Sequence, residues 1–169
     1  RCRLLDGPLR LGAGADQSVV LVMSGWQGPS RVRKIAAGGK PHLARILAPV
    51  YNARAQASLV FGFTSFDRAS TDHEIWWEGE PRVVSSCDFA GHTLAPDASI
   101  DSETLWIDAG SDPHASLERW ADQAQARYRQ GIELAPDFVA LRSNFGLSLA
   151  ISGQPQEAIN QLVPLIGSR

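Results

Sequence analysis

The spacing of apolar residues changes character at Asp112-Pro113, and no other feature limits the fold as much. Before that point apolar side chains alternate with polar ones in short runs separated by Gly, Pro and Asp. After it they recur at every third or fourth position. Alternation serves the two faces of a strand, whereas the wider spacing draws one stripe along a helix. The chain is therefore expected to be α+β, with strands over residues 1–111 and helices over residues 112–169.

The strongest strand signal is Ala57 to Arg68, reading ASLVFGFTSFDR. Leu59, Phe61 and Phe63 share one face and Val60 and Gly62 the other, as a central strand needs. Gly62 leaves room for a neighbour to approach closely. Ser18–Met23 (SVVLVM) reads as a buried strand, Val32–Ile35 as an edge strand, and Leu43–Tyr51 as one further strand. Pro49 cannot donate to a ladder, so that last run is expected at an edge or a bulge. His73–Trp77 and Arg82–Phe89 pair through Gly79-Glu80-Pro81, and Glu103–Ile107 supplies a final short strand. Asp6-Gly7-Pro8 and Leu94-Ala95-Pro96-Asp97 carry turn chemistry, and Gly25-Trp26-Gln27-Gly28-Pro29 is a loop. Many short strands without intervening helices indicate an antiparallel β-sandwich over residues 1–111.

Asp112 is a capping residue and Pro113 suits a first helical position. Leu117, Trp120, Ala121, Ala124 and Tyr128 form the apolar stripe of a helix running to Leu134, where Ala135-Pro136-Asp137 stops it. A second helix is expected from about Phe138 to Ile151, ending at Ser152-Gly153, and a third from about Pro155. Ala124 recurs as Ala158, Tyr128 as Leu162 and Gly131 as Leu165, each 34 positions on. With that period, Asn144-Phe145-Gly146 and Leu134-Ala135-Pro136 resemble the N-L-G and L-x-P motifs of tetratricopeptide repeats over residues 121–169. The resemblance implies a protein-binding or self-associating module whose concave face would be lined by Ser143, Asn144, Leu147 and Ala150. Only about one and a half repeats are present, and stacked repeats need about three units to bury a continuous core. The helices are thus expected to pack on the β-domain, on a continuation of the chain, or on another chain.

The first part resembles a different family. Val20-Leu21-Val22-Met23-Ser24-Gly25-Trp26-Gln27, the Leu59–Arg68 strand, and Asp112-Pro113 leading to Leu117-Glu118-Arg119-Trp120-Ala121-Asp122 are similar to the amino-terminal β-domain of α-galactosidase-like, family 36 glycoside hydrolases. The resemblance covers residues 1–122 and includes no catalytic motif. In that family the β-domain leads into a catalytic barrel, and a barrel of about 250 residues has no room here. The two resemblances meet around Trp120–Ala124.

Chemistry-bearing residues are sparse. The formal net charge of −2 gives no reason to expect nucleic acid or an anionic membrane as partner, and no apolar run is long enough to span a bilayer. Asp67, Asp72, Glu74 and Glu78 are the carboxylates closest to a glycosidase pair, but a solvated strand face accounts for them. His42, His73, His92 and His114 lack metal-site spacing, so neither a metal nor a cofactor is expected. Cys2 and Cys87 leave a single disulfide open while favouring two separate thiols. Trp26, in its Gly- and Pro-flanked loop, and Trp76 are the candidates for stacking on a sugar ring. Trp76 and Trp77 are adjacent, so at most one of them faces water. Arg, not Met, stands first, so a soluble chain beginning further upstream is expected and its compartment stays open. The expected role is a non-catalytic accessory domain carrying an interaction module. The alternatives are an adaptor acting through its helices, or an enzyme fragment or chimera with no autonomous function.

Overall fold

The computed structural model describes residues 1–22, 31–66 and 68–166. Among them the chain forms β1 (Cys2–Pro8), β2 (Ser18–Val22), β3 (Arg31–Lys34), β4 (His42–Ala44), β5 (Leu47–Asn52), β6 (Ala57–Phe63), β7 (Ser70–Trp77), β8 (Pro81–Asp88), β9 (Leu105–Gly110), α1 (Pro113–Leu134), α2 (Val139–Ile151) and α3 (Pro155–Ile166). All strand pairings are antiparallel and make two sheets, ordered β1-β8-β7-β4 and β3-β2-β5-β6-β9. The chain divides into two compact units, Arg1–Ser116 and Leu117–Arg169, the division falling in the first turn of α1.

In the first unit both sheets contribute to one core. Val20, Val50 and Phe61 come from the five-stranded sheet, and Ala44, Ile75 and Val83 from the four-stranded one. The apolar run at residues 57–68 does take an interior position, β6 lying between β5 and β9. Its burial is one-sided only at the start; from Val60 to Phe63 both faces are buried. β3 is an edge strand, as Val32–Ile35 suggests, and β7 and β8 form a hairpin whose connection is Glu78-Gly79-Glu80.

Three expectations about the strands are corrected, concerning Asp6-Gly7-Pro8, the run Leu43–Tyr51 and Pro49. Asp6-Gly7-Pro8 is not a turn: all three residues belong to β1 and pair with Val84, Val83 and Arg82. Pro8 is tolerated because it ends a strand at the sheet's edge, where a missing N–H deprives no further neighbour. Leu43–Tyr51 is not one strand either. Arg45-Ile46 carries the chain from β4 in one sheet to β5 in the other, with Ile46 at φ 29°. Pro49 then sits in an interior strand, just beyond Val50, where the ladder to β2 ends. Buried Asn52 locks the following hairpin: its amide donates to the carbonyls of Leu11 and Ala13 and its oxygen accepts from the N–H groups of Arg54 and Ala55.

Beyond residue 111 the expected helices form at the expected places. The Asp112 carboxylate accepts from the His114 N–H at 2.8 Å, and Gly153 takes φ 72° to end α2. Trp120, Ala121, Ala124 and Tyr128 on α1, Phe145 and Leu149 on α2 and Ala158 on α3 are buried. Tyr128 and Phe145 meet with ring centroids 6.2 Å apart. α2 and α3 approach at Gly146, where an added Cβ would lie 2.9 Å from Leu162. No helix is long and apolar enough to cross a membrane among the described residues.

Candidate functional site

Strand alternation assigns the two faces of β7. Thr71, His73, Ile75 and Trp77 turn inward, Trp77 packing on the core cluster, while Asp72, Glu74 and Trp76 turn outward. Across the ladder Trp76 faces Arg82 and Glu74 faces Val84 on β8. Of the two adjacent tryptophans, Trp76 is therefore the one presented on the outer face.

β1 supplies the third row through an irregularity. The register shifts between Arg3 and Leu5: Arg3 pairs with Ser86 while Leu5 pairs with Ser85. In a regular strand Arg3 and Asp6, three apart, point to opposite faces. The extra residue of the bulge brings both to the outer face, where the Arg3 guanidinium donates to Asp6 at 3.0 Å. Arg82 donates to the other oxygen of Asp6 at 3.1 Å and lies 3.4 Å from Glu78. Arg1 bridges Glu74 at 2.6 Å and Ser86 at 2.8 Å.

These side chains line an open cleft of about 440 Å³ made by Arg1, Arg3, Asp6, Glu74, Trp76, Glu78, Arg82 and Val84. Three guanidiniums and three carboxylates cancel in charge, and every carboxylate among them is engaged by an arginine. Besides these ion pairs the cleft is lined by the partly buried indole of Trp76 and by buried Val84. With each carboxylate held by an arginine, the cleft leaves no two free carboxylates to flank a glycosidic bond. Asp72 stands 4.0 Å from Arg45. Trp26 and Asp67 lie outside the described residues.

Two buried polar groups carry no obvious signal in the sequence. Glu103, expected to begin a strand, precedes β9 and is 1% exposed. One of its oxygens accepts from the Ser65 hydroxyl at 2.5 Å; the other accepts from the N–H groups of Arg68 at 2.5 Å and Ala69 at 2.8 Å. It clasps the segment that leaves β6. His73 is fully buried beside Phe63, 4.9 Å between centroids. Its Nε2 meets the Ile46 carbonyl at 3.3 Å, which can only accept, so Nε2 carries the proton and Nδ1 accepts from the Ser85 hydroxyl at 2.8 Å. Burial pushes the His73 pKa down to about 4, the bond to Ile46 opposing the fall. His73 thus ties the crossing at Ile46 to β8 as a neutral ring. Among the described residues no three His, Cys, Asp or Glu side chains are placed to hold a metal.

The four residues singled out on the second helix do not share an open face. Ser143 and Leu147 are half-buried and Ala150 is exposed, but Asn144 is buried, its side-chain oxygen without a hydrogen-bond partner among the described residues. Compared with protein-family models, curated proteins and solved structures, the chain matches none.

Proposed function

We propose that the strand unit is a non-catalytic, carbohydrate-binding β-sandwich of the kind that precedes the barrel in α-galactosidase-like hydrolases, and that the helices form a tetratricopeptide-type module serving assembly. The observation that carries the binding half is the placement of Trp76 in a charge-balanced cleft on the outer sheet face. An indole offers a flat apolar surface to the C–H face of a sugar ring, and the fixed rim supplies hydrogen bonds to hydroxyl groups. Because the rim charges cancel, the ligand that fits is a neutral glycan, not a sulfated or uronic one.

Glycan-array binding of the purified chain tests this, with Trp76→Ala and Trp26→Ala in parallel. Selective binding to neutral hexose-containing glycans that Trp76→Ala abolishes is the expected result. Absence of binding to any glycan, or binding that survives Trp76→Ala, overturns the assignment of this cleft; loss in Trp26→Ala alone moves the site to the other candidate.

A second reading is favoured by a separate observation. Leu134, Phe138 and Val139 around the α1–α2 corner, and Ile159 and Val163 one turn apart on α3, are all about half exposed or more. In an adaptor these apolar positions contact a partner. A chain with Ile159→Ser and Val163→Ser that remains folded, and loses self-association or partner capture seen with the parent, supports that reading; unchanged association sinks it.

A further inference from the structure

Cys2 and Cys87 stand directly opposite each other on β1 and β8. Opposed residues of antiparallel strands point to the same face with Cα atoms about 4.5–5.5 Å apart, within the roughly 4.4–6.8 Å that a disulfide spans. The pairing depends on the bulge. Continuing the regular ladder from Leu5 and Ser85 would set Arg3 against Cys87 and Cys2 against Asp88; the register shift between Arg3 and Leu5 aligns the two thiols instead. The sulfurs are both free, Cys2 exposed and Cys87 buried. Cys2 also lines an open cleft of about 410 Å³, together with Arg1, Phe89, His92 and Leu94, through which a small reagent reaches it.

We propose that Cys2 and Cys87 are a modification site, a dithiol that closes to an intrachain disulfide by exchange with a small disulfide such as oxidised glutathione. The Cys2 thiolate attacks one sulfur of the reagent, breaking its S–S bond and releasing one glutathione thiolate, which takes up the proton that Cys2 lost. The Cys87 thiolate then attacks the Cys2 sulfur of the mixed disulfide and expels the second glutathione as a thiol. Two protein thiols are oxidised and one glutathione disulfide is reduced to two thiols. Cys2 is the entry sulfur because it is exposed. Burial pushes the Cys87 thiol up, a backbone hydrogen bond from Glu103 opposing the rise. The inference does not rest on any ligand in the outer-face cleft.

The test is to incubate the reduced chain with oxidised glutathione and follow its intact mass, its non-reduced peptide map and its melting temperature. The expected product is a monomer lighter by two hydrogens, with the Cys2 and Cys87 peptides joined and Tm raised by roughly 5–10 °C. Cys87→Ser is expected to stop at the glutathione adduct on Cys2. Cys2→Ser, a change at an exposed position that leaves the fold intact, is expected to show neither the linked peptides nor the shift. A wild-type chain that keeps a stable glutathione adduct on Cys2, forms Cys2-linked dimers with Cys87 still free, or does not react at all overturns the proposal.

Discussion

The strand unit and the helical unit keep their interiors ordered by different means. In the strand unit, buried polar side chains with full sets of partners stand where the chain changes direction: Asn52 at the β5–β6 hairpin, His73 at the crossing from β4 to β5, Glu103 at the exit from β6. In the helical unit the contacts that decide the packing are steric, with Gly131 against Leu141 and Gly146 against Leu162. The difference follows from the backbone. A helix satisfies its own N–H and C=O groups, so only its surface shape is left to be matched. Strands joined by irregular segments leave backbone groups that side chains must satisfy inside the protein. The strand unit should therefore be sensitive to losing polar atoms, and the helical unit to gaining carbon.

The largest effect is expected at Glu103. In Glu103→Ala the Ser65 hydroxyl and two backbone N–H groups lose their acceptor together, at a cost of about 3–4 kcal/mol in urea unfolding. Glu103→Gln keeps one acceptor oxygen and should cost about half of that. A loss below about 1 kcal/mol in the alanine variant would mean that water replaces the carboxylate, and the contrast between the units would weaken.

His73 comes next, through pH. Its folded pKa of about 4 lies below the ordinary 6.5, so the unfolded chain binds the proton more readily. The stabilisation is fully present above pH 6.5 and is lost as pH falls towards about 4, the loss reaching roughly 3 kcal/mol there. Stability measured between pH 7 and 4 should show this loss, and His73→Leu should flatten it while lowering stability at neutral pH. An unchanged slope in that variant would place the acid sensitivity elsewhere.

For the helices the informative change adds atoms. Gly146→Val drives branched carbon into Leu162 and should cost about 2 kcal/mol, more than its helix-propensity gain offsets. Leu162→Ala in the same chain should recover part of the loss, since the two sites share one contact. Strictly additive effects would show that the close approach of α2 and α3 is not what sets their packing.

The elements of the fold differ in how legible they are in the sequence. Helix ends were plain because their signals are local: Asp112 before Pro113, and Gly153 after Ser152, act within a turn of themselves. The interior place of residues 57–63 followed from apolar density. The crossing at Ile46 was not legible, because a β-branched residue is the opposite of what a positive φ advertises. Asp6-Gly7-Pro8 carries turn residues, yet pairing with β8 across an edge overrides them. Glu103 gave no hint, since its partners at Ser65, Arg68 and Ala69 are distant in the chain. Of the cleft, Trp76 is a candidate from the sequence, but its adjacency to Trp77 says only that at most one of the two faces water, while Arg1, Arg3 and Asp6 arrive through the register of β1 and its bulge, which no spacing rule contains.

The smallest stability effect is expected on the outer face, at Arg3. Its guanidinium is largely exposed, and such pairs contribute less than about 1 kcal/mol. Arg3→Ala should therefore leave the urea midpoint nearly unchanged, in contrast with Glu103→Ala. It should still alter the cleft, because Asp6 would be held by Arg82 alone and the rim would gain net negative charge. If the outer face is a binding surface, neutral-glycan affinity falls several-fold in a chain as stable as the parent. If stability falls instead by more than about 2 kcal/mol, the Arg3–Asp6 contact is what fixes the bulge. The outer face would then belong with the buried anchors as a structural device, and the alignment of Cys2 with Cys87 would depend on it.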